Sequence, residues 1–83
     1  MFDINNSGKQ IAQLRKRLGI TQEELAERLS VSPQAISKWE NGHSMPEISM
    51  LVELANILNV SVDEILLPQR IKFNTSNFEY ILL

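Results

Sequence analysis

Three residues, Ser30 to Ser32, separate two helical segments, and that short connection constrains the fold more than any other feature of the chain. The segment before it is "TQEELAERLS". Thr21 and Glu24 stand at capping-box spacing, and three acids lie in or near the first turns, where the helix dipole favours negative charge. Leu25, Ala26 and Leu29 fall on one inward side. The segment after it is "SPQAISKWENG". Ser32 fits the N-cap, Pro33 the first helical position and Gly42 the stop. So short a connection lacks the slack of an antiparallel hairpin, and the two helices must meet in a tight, angled turn.

Other helices flank this pair. In "SGKQIAQLRKRLG", Ser7 and Gln10 have the S-x-x-Q spacing of a cap, and Ile11, Leu14 and Leu18 form an apolar stripe that Gly19 ends. Lys9, Gln13, Lys16 and Arg17 lie outside that stripe. "PEISMLVELANILN" starts near Pro46 and stops near Asn59. It carries too many apolar residues for one narrow stripe, so it is central to the core or touches a partner on a second side. "SVDEILLP" opens with another capping box, Ser61 with Glu64, and Pro68 stops it. The expected fold is all-α, a compact five-helix domain over residues 1–69. The tail, residues 70–83, changes character: Ile71 and Phe73, then Phe78, Tyr80 and Leu82, alternate around "NTSN". It reads as a short β-hairpin, with a helix or an ordered coil as the alternatives.

Eighty-three residues support one small core and no more. Cysteine is absent, which removes disulfides, thiolate catalysis and cysteine zinc sites together. The single His43 builds no metal site by itself, and no glycine-rich phosphate loop is present. An enzyme is therefore a poor reading, and neither metal nor cofactor is expected. No apolar run reaches the roughly 20 residues of a membrane span. "MFDINNSGK" lacks the order of a signal peptide, so a cytoplasmic location is expected. The net charge of −2 argues mildly against a non-specific nucleic-acid binder. The charge is unevenly placed, however: residues 1–42 carry +1 and residues 43–83 carry −3. Any electropositive surface must be local and lie in the first half.

One helix face has no obvious use in a core. In "VSPQAISKWENG", Ala35, Ile36 and Trp39 fall on one side, and Trp39 is expected in the core. Ser32, Pro33, Gln34, Ser37, Lys38 and Asn41 fall on the other. Solvated faces usually carry Glu–Lys pairs, whereas this one carries amides, hydroxyls and one lysine.

Residues 8–67 resemble the phage-repressor-like helix-turn-helix family (XRE-like), the group that includes the Cro and lambda-type repressor DNA-binding domains. The matching text is "LGITQEELAERLSVSPQAISKWENG" followed by "PEISMLVELANILNVSVDEIL". The spaced apolar set Leu25, Ala26, Leu29, Val31, Ile36 and Trp39, with "QEELA" and "WENG", makes the resemblance specific. It implies a recognition helix in "SPQAISKWEN" and a cytoplasmic, sequence-specific regulator that binds double-stranded DNA, usually as a homodimer. It also implies backbone contacts by Gln22 and Asn41, and a buried structural ion pair between Arg15 and Glu40. The chain departs from the family at Ser30, where glycine is frequent; a left-handed backbone there costs a non-glycine residue on the order of 1 kcal/mol.

The chemistry of the polar face agrees with that expectation. Each base pair shows a distinct donor, acceptor and methyl pattern in the major groove. Gln34 can bond adenine N6 and N7, Lys38 can donate to guanine, and Ser37 can serve either. On an arbitrary helix the same residues would be ordinary solvated side chains. Ser32 is a cap first and a phosphate ligand second. Lys9, Lys16 and Arg17 are candidate electrostatic contributors. The competing reading is a protein-interaction module, as in DNA-binding antitoxins of this family, with the apolar tail binding a protein partner. The tail is also a candidate dimerisation element.

Overall fold

The computed structural model describes residues 2–68, and these form five helices with no strand among them. They are α1 (Ile4–Arg17), α2 (Gln22–Leu29), α3 (Pro33–Glu40), α4 (Ile48–Leu58) and α5 (Val62–Leu66). The expected hairpin in residues 70–83, and any dimer contact it makes, lie outside the described residues.

Caps define most of the boundaries. Thr21 and Glu24 form a reciprocal capping box at α2, and Ser61 and Glu64 form one at α5. Ser32 accepts from the Ala35 amide at 3.1 Å, with Pro33 in the first turn of α3. The start of α1 departs from expectation. Asp3 is its N-cap, accepting from the Asn5 amide at 2.9 Å, so the helix begins four residues before the predicted Ser7 cap. Ser7 is fully buried and donates its hydroxyl to the Leu66 carbonyl at 3.1 Å, while Gln10 donates to the Glu64 carbonyl at 3.2 Å. The apparent capping pair is thus a link from α1 to α5. Leu18 also departs: it caps the C-terminus of α1 and is exposed rather than part of the stripe.

The core is one cluster. Ile11 and Leu14 of α1, Leu25, Ala26 and Leu29 of α2, Ile36 and Trp39 of α3, four residues of α4 and Ile65 of α5 are all buried in it. Helix α3 packs on α1 and α2, and α4 packs on α2 and α5. Burying an aliphatic or aromatic side chain is worth about 1.5–3 kcal/mol, so this cluster is the main term holding α3 in place. α4 has the second apolar side that its composition implies, since Ile48 and Val52 are exposed at i, i+4 spacing.

The turn between α2 and α3 needs a left-handed residue. Ser30 has φ 59° and ψ 41°, and the Val31 amide closes on the Ala26 carbonyl at 3.0 Å. Glycine adopts this geometry without the Cβ penalty, although it loses more entropy on folding. Ser30→Gly should therefore raise stability by up to about 1 kcal/mol, a gain of a few degrees in Tm. A lower Tm would show that the serine side chain stabilises the turn.

Candidate nucleic-acid interface

Helix periodicity sets the face. At 100° per residue, Gln34, Ser37, Lys38 and Asn41 fall within about 100° of arc on α3. Ile36 and Trp39 are buried on the opposite side. Gln34, Lys38 and Asn41 are exposed and Ser37 is partly so. The packing that buries Ile36 and Trp39 therefore aims the polar set outward as a unit. Asn41 donates its side-chain amide to the Ser37 hydroxyl oxygen at 3.2 Å. That bond occupies a lone pair of Ser37 and leaves its proton free, which biases Ser37 toward donating.

The other expected residues are exposed at the start of α3 and on α1. Ser32 is exposed, and its oxygen holds the Ala35 amide while its proton stays available. Lys9, Lys16 and Arg17 are exposed and fall within about 100° of one another on α1, which contains no acid. They form a local positive stripe on a chain of net charge −2. α1 lies against the end of α3. A Cβ on Gly8 would collide with the Trp39 carbonyl oxygen and stand 2.8 Å from that of Glu40.

Behind the face is a closed polar unit. Arg15 donates through Nε to Glu40 Oε2 at 2.6 Å and through Nη2 to Glu40 Oε1 at 3.0 Å. Its Nη1 donates to the Ile20 carbonyl at 2.9 Å. The Arg15 and Glu40 side chains are 10% and 6% exposed, so the pair is desolvated. The hydrogen bonds to Glu40 raise the Arg15 pKa above the ordinary arginine value, outweighing the opposing effect of burial. The pair links α1 to the end of α3. Gln22 joins them, donating Nε2 to Glu40 Oε1 at 2.9 Å.

Sequence reasoning placed Gln22 at the start of α2 but not on Glu40. The two are 18 positions apart on different helices, and no local pattern signals the bond. The close approach at Gly8 does have a local signal, since a glycine inside a helix is a usable sign of close backbone approach.

Comparison with known proteins bears on this geometry. A family model described as Helix-turn-helix matches residues 11–65. The HTH-type transcriptional activator BcrR of Enterococcus faecalis is 43% identical over 58 residues, covering 70% of this chain and 28% of that protein. The HTH-type transcriptional regulator ImmR of Bacillus subtilis is 36% identical over 59 residues, covering 71% of this chain and 46% of that protein. The matched region is thus less than half the length of either relative. Among solved structures, the P22 c2 repressor protein in complex with synthetic operator 9T superposes with a TM-score of 0.72. It is 36% identical over 74% of this chain and 92% of that one.

Proposed function

The chain belongs to the helix-turn-helix family, and from that premise we propose that it is a sequence-specific DNA-binding transcriptional regulator. It binds a near-palindromic operator as a homodimer, with α3 of each copy in the major groove. The observation that carries this reading is the outward polar face of α3. Gln34, Ser37 and Lys38 contact base edges there, and Asn41 and Ser32 contact the backbone at either end of the helix. The α2 N-terminus, with Gln22, holds a phosphate through amide donors and the helix dipole. Lys9 and Arg17 add positive potential from α1. Phosphate contacts fix register, and base contacts carry the sequence information.

The mechanism is occupancy. Two recognition helices in successive grooves sit about 34 Å apart, so a bound dimer covers its operator and, where that overlaps a promoter, represses it. The activity needs no catalytic group or cofactor, and its place of work is the cytoplasm. The relatives support regulation more firmly than its sign, since one of them is named an activator.

Selection from a random DNA library with the full chain, at two salt concentrations, tests the proposal. An inverted repeat with half-sites one helical turn apart is expected, with binding that weakens steeply as salt rises. On the selected site, Gln34→Ala and Lys38→Ala should each reduce discrimination by about 1–3 kcal/mol and leave Tm unchanged. A folded protein that enriches no sequence would overturn this function and turn attention to a protein partner for the tail and for the exposed Ile48–Val52 side of α4.

A further inference from the structure

We propose that Glu40 is a positioning residue for DNA binding: it holds the side-chain amide of Gln22 so that one N–H is turned out toward a backbone phosphate. The inference rests on the DNA-binding reading above and deepens it.

A glutamine amide has a donor end and an acceptor end, and the two are nearly the same size. Only the donor end suits a phosphate, which accepts hydrogen bonds. A free glutamine must choose that orientation at the moment of binding. Gln22 is instead half-buried and bonded through Nε2 to Glu40 Oε1 at 2.9 Å. A carboxylate only accepts, so it admits the amino end of Gln22 and excludes the carbonyl end. One N–H is engaged by Glu40, and the second points away from it. The orientation is therefore fixed before DNA arrives, which lowers the ordering penalty of binding.

A carboxylate beside a phosphate would ordinarily repel it. Arg15 removes that objection, because its guanidinium covers both Glu40 oxygens at 2.6 and 3.0 Å. The same guanidinium bonds the Ile20 carbonyl, two residues before Gln22, and so fixes the entry into α2. Through one carboxylate, the first turn of α2 is registered against the last turn of α3. The phosphate clamp and the base-reading helix are thereby set relative to one another.

The test is a double-mutant comparison on a mixed-sequence duplex at low salt, where phosphate contacts dominate. The variants are Gln22→Ala, Arg15→Met with Glu40→Met, and all three together. The methionine pair removes the acceptor without changing net charge, and a buried ion pair replaced by apolar residues usually folds. Affinity is measured well below each Tm. Gln22→Ala and the methionine pair should each weaken binding on the order of tenfold. The triple variant should be no weaker than either, within about twofold, because both changes remove the same interaction. A further tenfold loss in the triple variant would overturn the proposal, because Glu40 would then act independently of Gln22. Wild-type affinity in the methionine pair would overturn it as well. If only Gln22→Ala binds normally, Gln22 is not a ligand and the inference fails while DNA binding stands. If the wild-type chain binds neither this duplex nor a selected one, the functional reading itself fails.

A measurement on the unaltered chain covers the case in which the methionine pair does not fold. In the nitrogen–proton spectrum of the Gln22 side-chain amide, adding the duplex should shift one amide proton and leave its Glu40-bonded partner in place. Movement of both, or of neither, would refute the assignment.

Discussion

Arg15→Ala should lower the unfolding free energy by about 3–5 kcal/mol, because it leaves Glu40 desolvated with only Gln22 as a partner. Small domains have about 5–15 kcal/mol in total, so the loss is a large fraction of the fold's stability. In thermal melts it should appear as a fall of about 15–30 °C. The effect should be flat through neutral pH. The folded-state pKa of Arg15 is raised, so its contribution is complete below the unfolded arginine value and is lost only as pH rises past it. Arginine titrates far above the working range. The penalty belongs to the stranded carboxylate rather than to the pair. Replacing both residues with methionine should recover most of the stability, and a melt as low as that of Arg15→Ala would refute this account.

Gly8→Ala is the second large effect, and its sign is the informative part. On an exposed helix interior, exchanging glycine for alanine gains about 0.5–1 kcal/mol. Here the added carbon would collide with two backbone carbonyl oxygens, of Trp39 and Glu40. Neither is the end of a flexible side chain, so α1 must move away from α3. Overpacking of this kind costs about 3 kcal/mol or more, which corresponds to a Tm lower by about 10 °C at least. Movement of α1 also disturbs the Arg15–Glu40 geometry, so DNA affinity should fall in parallel. A variant that melts at or above the wild-type temperature would show that the two helices are not in backbone contact.

The features legible in the sequence were those with local causes. Thr21 with Glu24, Ser32 with Pro33, and Ser61 with Glu64 act within one turn, and the structure shows all three caps. The apolar stripes of α2 and α3 follow from periodicity, and the polar face of α3 is what remains when that stripe is buried. The misassigned Ser7–Gln10 cap and the missed Gln22 bond have a common cause in distance along the chain. Ser7 and Gln10 have a cap's spacing, but their partners are 59 and 54 positions away. Gln22 reaches Glu40 across 18 positions. No window of one or two turns contains both members of such a pair. Ser30 was legible by a different route, through the family resemblance, in which glycine is frequent at this turn; the serine there has φ 59°.

The bonds from Ser7 and Gln10 to α5 also set a timetable. Both acceptors, and the fully buried Ile65, belong to the last helix described. A ribosome adding about 5–20 residues per second needs about 1–5 seconds to go from Glu40 to Ile65. For that interval α1, α2 and α3 have been made without the helix that closes over Ser7. Their apolar sides are uncovered then, beside a polar face already complete in sequence. Until α5 is made, Ser7 and Gln10 have no acceptors on it and the core lacks Ile65.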